Sequence, residues 1–373
     1  MKLAGIRVVD LSNFLPGPYL SLALADHGAE VIKIEQPGEG DPGRGIGLAD
    51  GPHTVFFRNL NRGKQSIVLD LKSEPGRAAL LELAGGADVF VESFRPGVAR
   101  RLGMDYETLS RANPGLVYCS ISAFGQDGPY RDRPAHDLAV EGLAGALSLN
   151  VGADGNPAIP GLPLADLLGG LHGLAGVLMA LLRRRDTGRG DYVDISMMDC
   201  MVAALRNMAG PTFAQGRQPD PKAERTTGGS AFYRIYETSD GGRIALAGQE
   251  PKFVHALLGA LGRPDLAPLC LQGPGPHQAP VAEFLEREFR RATRREWEAR
   301  LAGLDVCFGA VNTLPEAFDD PQVQARGMVL RDGEGRPHIA SPIRFLDEPA
   351  AYRLEAPELD QHRHLLQKKE RAR

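Results

Sequence analysis

Short runs of β-branched and other apolar residues alternate with helical stretches over the first two hundred residues of the chain. Parallel strands need a long crossover, usually a helix, so this alternation predicts an α/β fold on a parallel sheet. The longest helical stretch, residues 164–185, is apolar nearly all round, and we expect it to be buried. The runs assigned to strands are residues 6–11, 30–35, 66–71, 89–92, 117–122 and 192–196.

The chain of 373 residues has room for more than one domain. Residues 210–229 are rich in proline, glycine, glutamine and charged residues, which is typical of a linker. They separate a large domain, residues 1–209, from a smaller α+β domain, residues 230–318, in which two strands flank a turn at Asp240-Gly241-Gly242. Residues 319–373 form a C-terminal segment, and we expect its charged tail, residues 367–373, to be frayed.

The overall composition excludes several classes of protein. The formal net charge of −4 gives no field that would collect nucleic acid or an anionic membrane. The four cysteines are scattered, with neither a C-x-x-C pair nor a histidine at ligand spacing, so we predict no metal site and no disulfide framework. The first residues lack an apolar run of signal-peptide length, and no stretch reaches about 18 uncharged apolar residues. We therefore expect a soluble, cytoplasmic protein.

Three loops carry cations near the ends of predicted strands. Arg44 follows the second strand, Arg62 and Lys64 lead into the third, and Arg95 follows the fourth. Arginine and lysine pair with phosphate through charge-assisted hydrogen bonds, so together these loops suit a polyphosphate such as coenzyme A. The competing interpretation is that each is a solvated loop cation. The glycine spacing fits neither a Walker loop nor a G-x-G-x-x-G fingerprint.

Candidate acid–base groups lie at predicted helix starts. His136 and Asp137 begin the helical run HDLAVEGLAGAL, Asp166 opens the long apolar helix, and Glu250 follows a predicted strand. Exposed N–H groups at a helix start can hold a carbonyl oxygen that gains negative charge, and His136 could carry a proton there. In the competing interpretation each carboxylate is a helix cap and His136 is a surface histidine.

The longer motifs resemble the family III CoA-transferases, which include carnitine and bile-acid CoA-transferases, formyl-CoA transferase and α-methylacyl-CoA racemase. The resemblance runs essentially from end to end. It is carried by the segments LPGPYLSLALADHGAEVIKIEQPGEGDPGR, NRGKQSIVLDLK, VESFRPGVARRLGMDYETL, NPGLVYCSISAFGQDGPY and GRGDYVDISMMD.

Three features resemble the racemase branch of that family in particular. They are the pair in AHDL (His136, Asp137), the aspartate in PLADLLGG (Asp166) and the glutamate in QEPKF (Glu250). Transferase members keep the aspartate as a nucleophile but typically lack the histidine and carry a glycine-rich loop over the site. Two positions depart from the pattern: Val140 stands where the racemases often have tyrosine, and Asp360 stands where the family usually has glycine.

The resemblance implies a Rossmann-like α/β large domain, a smaller domain joined by long linkers, and two chains interlocked as a homodimer. It also implies that the C-terminal segment returns to the large domain. Coenzyme A would lie along the loops that hold Arg44, Arg62, Lys64 and Arg95. No cofactor is expected beyond the CoA moiety of an acyl-CoA substrate.

The activity implied by the resemblance is racemisation at the α-carbon of 2-methylacyl-CoA thioesters by two-base 1,1-proton transfer. His136, partnered by Glu250, would serve one face of the carbon and Asp166 the other, while backbone donors near Asp137 would hold the enolate-like oxygen. Two alternatives stay open. One is CoA transfer between carboxylic acids through an acyl-enzyme on Asp166, and the other is an acyl-CoA binding protein without catalysis.

Overall fold

The computed structural model describes residues 1–152 and 154–366, and these form two compact units. The first unit contains Met1–Ala146, Ile159–Leu205 and the described residues from 321 onward. The second contains Leu147–Ala158, apart from residue 153, and Arg206–Asp320. The charged tail at 367–373 lies outside the described residues.

A parallel sheet of six strands forms the centre of the first unit, as the alternating sequence predicts. All six predicted strands are confirmed, with small differences at their ends. Together with a separate pair, β3 and β4, the strands up to residue 196 are β1 (Arg7–Asp10), β2 (Glu30–Glu35), β3 (Ala49–Asp50), β4 (His53–Thr54), β5 (Gln65–Val68), β6 (Val89–Glu92), β7 (Val117–Ser122) and β8 (Tyr192–Ser196). The sheet order is β5-β2-β1-β6-β7-β8, and β3 and β4 form a separate antiparallel ladder.

Helices cover both faces of this sheet. Successive residues of a strand point to opposite faces of the sheet. Val8 and Val9 of β1 are both fully buried, and each belongs to a different hydrophobic cluster. The helices are α1 (Pro16–Asp26), α2 (Val55–Asn61), α3 (Glu74–Gly85), α4 (Val98–Arg101), α5 (Tyr106–Ala112), α6 (Asp137–Leu143), α7 (Leu164–Thr187) and α8 (Met197–Ala204). Short 3-10 turns lie at Pro42–Gly45, Ala146–Ser148 and Leu205–Asn207.

The long apolar helix α7 packs along α1, and glycine makes the close approach possible. A Cβ atom built on Gly170 would lie 2.6 Å from the carbonyl oxygen of Pro16. The expectation that this helix is buried is wrong for one of its faces, because Met179 and Leu182 are 69% and 65% exposed. Among the described residues, α7 alone is long and apolar enough to cross a membrane, a test that the core helices of soluble proteins also pass.

The second unit is an α+β structure around a three-stranded antiparallel sheet, in the order β11-β10-β9. Its elements are α9 (Gly210–Gln215), β9 (Arg234–Glu237), β10 (Arg243–Leu246), α10 (Pro251–Ala260), α11 (Ala267–Cys270), α12 (Ala279–Phe289), α13 (Arg294–Leu301), β11 (Phe308–Ala310) and α14 (Leu314–Asp319), with 3-10 turns at Pro264–Leu266 and Pro276–Gln278. Towards the end of the unit, Thr293 and Glu296 form a capping box that starts a separate helix, α13, directly after α12.

The C-terminal segment runs along the first unit. It begins with α15 (Pro321–Ala325), β12 (Val329–Arg331) and β13 (Pro337–Ile339), and its last described element is a 3-10 turn, Arg363–Leu366. The N–H of Gly63 donates to the carbonyl of Glu355 at 2.8 Å, and the N–H of His362 donates to the carbonyl of Ser66 at 2.9 Å. These backbone bonds fasten the segment to the loop before β5 and to β5 itself.

Candidate active site

One cavity opens at the carboxyl ends of β1, β6 and β7, where the strand order of the sheet reverses. From β1 the chain moves outward to β2 and β5, and it then returns to the other side of β1 with β6. Open α/β sheets bind ligands at such a switch point. The cavity has a volume of about 460 Å³, which is within the range of small-molecule sites. Phe14, Arg95 and Phe124 line it from the loops after the three strands.

His136 and Asp166 line this same cavity. His136 is the N-cap residue of α6, but its side chain makes no capping hydrogen bond. The imidazole is therefore not engaged in capping the helix. Asp166 lies in the first turn of α7 and is half-buried. Both helix starts are those predicted from the sequence. The structure therefore brings together an imidazole and a carboxylate that are distant in the chain.

Two carboxylates on α6 cap the start of α7, which has no side-chain cap of its own. Asp137 Oδ1 accepts hydrogen bonds from the N–H groups of Ala165, at 2.8 Å, and Asp166, at 3.2 Å. Glu141 Oε1 accepts from the N–H of Leu164 at 3.0 Å. Asp137 is thus a helix cap, as the competing interpretation held, but it caps the neighbouring helix and thereby holds the turn that carries Asp166.

The electrostatic surroundings of Asp166 favour its protonated form. Burial, and then the negative charges of Asp137 and Glu141, raise the pKa of Asp166 to about 7. A carboxyl group with such a pKa can both accept and release a proton near neutral pH. No sequence motif singles out Glu141, and the feature that indicates its role is its position one helical turn after Asp137.

Phe14 packs against the catalytic candidate His136 in a strained backbone conformation. Its ring meets the imidazole edge-on, with centroids 6.0 Å apart, and its φ angle is +62°, which is rare for a residue with a side chain. The N–H of Phe14 donates to Asp41 Oδ1 at 3.3 Å, and Asp41 forms a fully buried ion pair with Lys33 at 2.7 Å. Lys33 also donates to the carbonyl of Ser12 at 2.8 Å. This ion pair fixes the loop that presents Phe14.

Arg62 and Lys64, two of the four cations predicted to bind coenzyme A, are buried and paired within the first unit. Arg62 is 1% exposed and makes a two-pronged ion pair with Asp26. Lys64 Nζ lies 2.9 Å from Asn61 Oδ1 and 3.3 Å from Asp10 Oδ2. Burial lowers the pKa of Lys64 to about 8 although Asp10 opposes that shift. Neither residue lines the cavity that holds His136.

Of the other two predicted cations, Arg44 is also paired with a carboxylate. The guanidinium of Arg44 pairs with both carboxylate oxygens of Glu35 at 2.7 Å and stacks over the ring of Phe57. Arg95 is exposed, lines the cavity and has no ion-pair partner among the described residues. The structure therefore brings only Arg95 of the four to His136 and Asp166.

Two further arginines, Arg131 and Arg133, line the cavity, although neither is among the four predicted cations. Both are exposed. The ion pair of Arg131 is with its neighbour Asp132 at 3.7 Å, and Arg133 lies over the ring of Tyr130. The sequence feature that indicates these cavity cations is the cluster RDRP, residues 131–134, which lies just before the predicted helix start at His136. Together with Arg95 they supply three positive charges to one cavity.

Glu250 belongs to the second unit. It is the N-cap residue of α10, yet its exposed carboxylate makes no capping hydrogen bond and has no hydrogen-bond partner among the described residues. A role as a simple cap therefore does not account for this side chain. Its predicted partnership with His136 stays a prediction.

The two departures from the family pattern have local structural roles. Val140 is fully buried in a hydrophobic cluster of the first unit, and it does not line the cavity. Asp360 has a φ angle of +62°, which explains why a residue tolerant of the left-handed region occupies a position where glycine is usual. Its Oδ1 accepts from the N–H of Val68 at 2.8 Å and so joins the C-terminal segment to β5.

Comparison with known proteins identifies the family to which this architecture belongs. The model of CoA-transferase family III matches residues 3–363, and the chain is a member of that family. Succinate–glutarate CoA-transferase of Agrobacterium fabrum is 34% identical, over 96% of this chain and 93% of its own. Mouse α-methylacyl-CoA racemase is also 34% identical, over 90% and 84%. The crystal structure of a CAIB/BAIF family protein from Brucella suis matches with a TM-score of 0.85 and 34% identity, over 98% of each chain.

Proposed function

We propose that this protein is a racemase that inverts the α-carbon of 2-methylacyl-CoA thioesters. The observation that carries the proposal is that His136 and Asp166 line a single cavity. Inversion removes a proton from one face of a carbon and delivers a proton to the other, so two groups that exchange protons must flank that carbon. Transfer of CoA through an acyl-enzyme needs the carboxylate but not the imidazole.

In the proposed reaction, one of the two groups accepts the α-proton, and the electron pair of the C–H bond moves into the thioester carbonyl. The carbonyl oxygen becomes enolate-like. The other group then gives its proton to the opposite face of the carbon, and the carbonyl reforms, so no net proton or electron is consumed. The main-chain N–H groups of Asp137 and Leu138 have no acceptor among the described residues, and we assign them as donors to the oxygen.

In this proposal, cations at the cavity hold the substrate, and a partner subunit completes the site. Arg95, Arg131 and Arg133 would pair with the phosphates of the CoA moiety. An interlocked homodimer is supported by the exposed apolar face of α7, since burial against a second copy would remove Met179 and Leu182 from water. In that dimer, Glu250 of the partner subunit would hold His136.

A second candidate function is CoA transfer between carboxylic acids, which the name of the Agrobacterium relative favours. The Asp166 carboxylate would attack the thioester and expel CoA thiolate, forming a mixed anhydride. The thiolate would then attack the Asp166 carbonyl, releasing the first acid and leaving an aspartyl-CoA thioester. An acceptor carboxylate would repeat both steps in reverse order and regenerate Asp166.

Incubation of the full chain with a 2-methylacyl-CoA in deuterated water, without an acceptor acid, separates these functions. We expect uptake of α-deuterium and loss of optical purity, measured by mass spectrometry and chiral chromatography. No uptake, together with movement of CoA to the acid in a second incubation that contains succinate or glutarate, would overturn the racemase proposal in favour of transfer. Neither reaction, with tight binding of the thioester, would support a binding protein without catalysis.

The pH dependence distinguishes the two chemistries independently. A racemase needs one proton shared between His136 and Asp166, so kcat/KM should pass through a maximum and fall when both groups are protonated or both are deprotonated. Because burial and neighbouring carboxylates raise the pKa of Asp166 to about 7, one flank should lie near neutral pH. A nucleophilic Asp166 needs only to be ionised, and its rate would rise through that pH without a descending flank.

Arg133→Gln should raise the KM for the CoA thioester by about 10-fold or more and leave kcat nearly unchanged, since a charge-assisted hydrogen bond contributes about 1.5–3 kcal/mol. Arg100→Gln is the matched control, because Arg100 is 70% exposed on α4 and does not line the cavity. Initial rates over a range of substrate concentrations give both constants. An unchanged KM for Arg133→Gln would remove Arg133 from the phosphate site.

A further inference from the structure

Three carboxyl groups meet at the start of α7, and only one of them lines the cavity. Glu141 is 1% exposed and Asp137 is half-buried, and both accept hydrogen bonds from the first turn of α7. Asp166 lies on that turn, and its own N–H is one of the donors to Asp137. An acceptor without charge could serve the same N–H groups, so capping alone does not explain a buried carboxyl at position 141.

We propose that Glu141 is a positioning residue for Asp166: it holds the first turn of α7 through the N–H of Leu164 and places a second, buried carboxyl group beside the one that lines the cavity. This inference rests on the proposed function in that Asp166 is the group that exchanges a proton with substrate. Glu141 itself does not line the cavity, so it acts only through Asp166.

The surroundings of Asp166 contain charges of both signs. The N-terminal end of α7 and the cavity cations favour the carboxylate, whereas the two carboxyls on α6 favour the protonated acid. Burial raises the pKa of Glu141, the N–H of Leu164 opposes that shift, and the neighbouring Asp137 adds to it. The titratable or charged groups around Asp166 are Asp137 and Glu141 on α6, and His136, Arg95, Arg131 and Arg133 at the cavity.

The test is the variant Glu141→Gln, which keeps an oxygen acceptor for the N–H of Leu164 but removes the charge. The carboxyl carbon of Asp166 is followed by NMR during a pH titration of the ligand-free full chain labelled with carbon-13 at aspartate carboxyls. Asp166→Asn identifies the signal by its loss. We expect the midpoint to move to lower pH in Glu141→Gln, because one of the negative charges that raise the pKa of Asp166 is removed. Glu107→Gln, an exposed carboxylate on α5, is the control and should leave the midpoint in place.

Kinetics give a second readout. We expect the pH optimum of deuterium uptake to move in the same direction in Glu141→Gln, with the KM for the thioester unchanged. Glu141→Leu, which removes both charge and acceptor, should lower kcat about 10-fold or more and reduce the melting temperature, and Glu141→Gln should restore both. An Asp166 midpoint that is the same in wild type and Glu141→Gln would overturn the inference. Absence of deuterium uptake in wild type would reject the racemase function. The NMR titration would still test the role of Glu141, because it follows Asp166 in the ligand-free chain.

Discussion

Replacing His136 by alanine should lower the rate of α-deuterium uptake by about 10²–10⁴-fold, the contribution expected of a positioned acid–base group. The imidazole lines the cavity with Asp166, and it is the group that no transferase step needs. Affinity for the thioester should stay near the wild-type value, because the cations proposed to hold the CoA phosphates are untouched. Deuterium uptake is measured by mass spectrometry, and affinity by isothermal titration with a non-reactive CoA thioester.

His364→Ala provides the matched control. His364 is an exposed histidine in the 3-10 turn Arg363–Leu366, its ring centroid lies 6.0 Å from that of His362, and it does not line the cavity. Deuterium uptake in this variant should equal that of wild type. If His136→Ala also retained wild-type uptake, His136 would not be a base in the reaction, and the racemase proposal would lose the observation that carries it.

The pattern of apolar residues predicts the central sheet, whereas the meeting of His136 with Asp166 is predicted from the resemblance to the family, and the fold shows its physical basis. Strands buried on both faces, such as β6 and β7, need continuous apolar residues, and this pattern is visible in a single sequence. Both candidate residues lie at helix starts, and the local signals of a helix start are also visible. Once the strands are parallel, these starts lie at the carboxyl edge of the sheet, and the topology brings them together.

The roles that the sequence does not predict are those of side chains whose hydrogen-bond or ion-pair partners are distant in the chain. Asp137 has the local pattern of a cap for α6, but its acceptor atoms serve Ala165 and Asp166 across a long intervening loop. A lysine or arginine in a glycine-containing loop has the same local pattern whether it faces solvent or a buried carboxylate. For Arg62 the deciding partner is Asp26, on α1, and neither residue is near the other in the sequence.

Arg62→Gln should lower the free energy of unfolding by about 3–5 kcal/mol, because it leaves the buried carboxylate of Asp26 without a partner. The guanidinium also donates to the carbonyl of Ile339 at 2.9 Å, so the loss weakens the attachment of the C-terminal segment to α1 as well. Urea denaturation followed by fluorescence or circular dichroism measures the change. The control is Arg100→Gln, which breaks the ion pair between Arg100 and Glu107, whose side chains are 70% and 66% exposed respectively. This variant should change the free energy of unfolding by less than about 1 kcal/mol.

The double variant Arg62→Gln with Asp26→Asn shows whether the cost arises from an unpaired charge. With both charges removed, two neutral amides can hydrogen-bond to each other, and part of the lost stability should return. Coenzyme A binding, measured by titration calorimetry at a temperature where each variant is folded, tests the alternative role of Arg62. Weaker binding by Arg62→Gln with no loss of stability would mean that Arg62 serves the CoA phosphates. Loss of stability with unchanged binding would mean that its charge holds α1, β13 and the loop before β5 together.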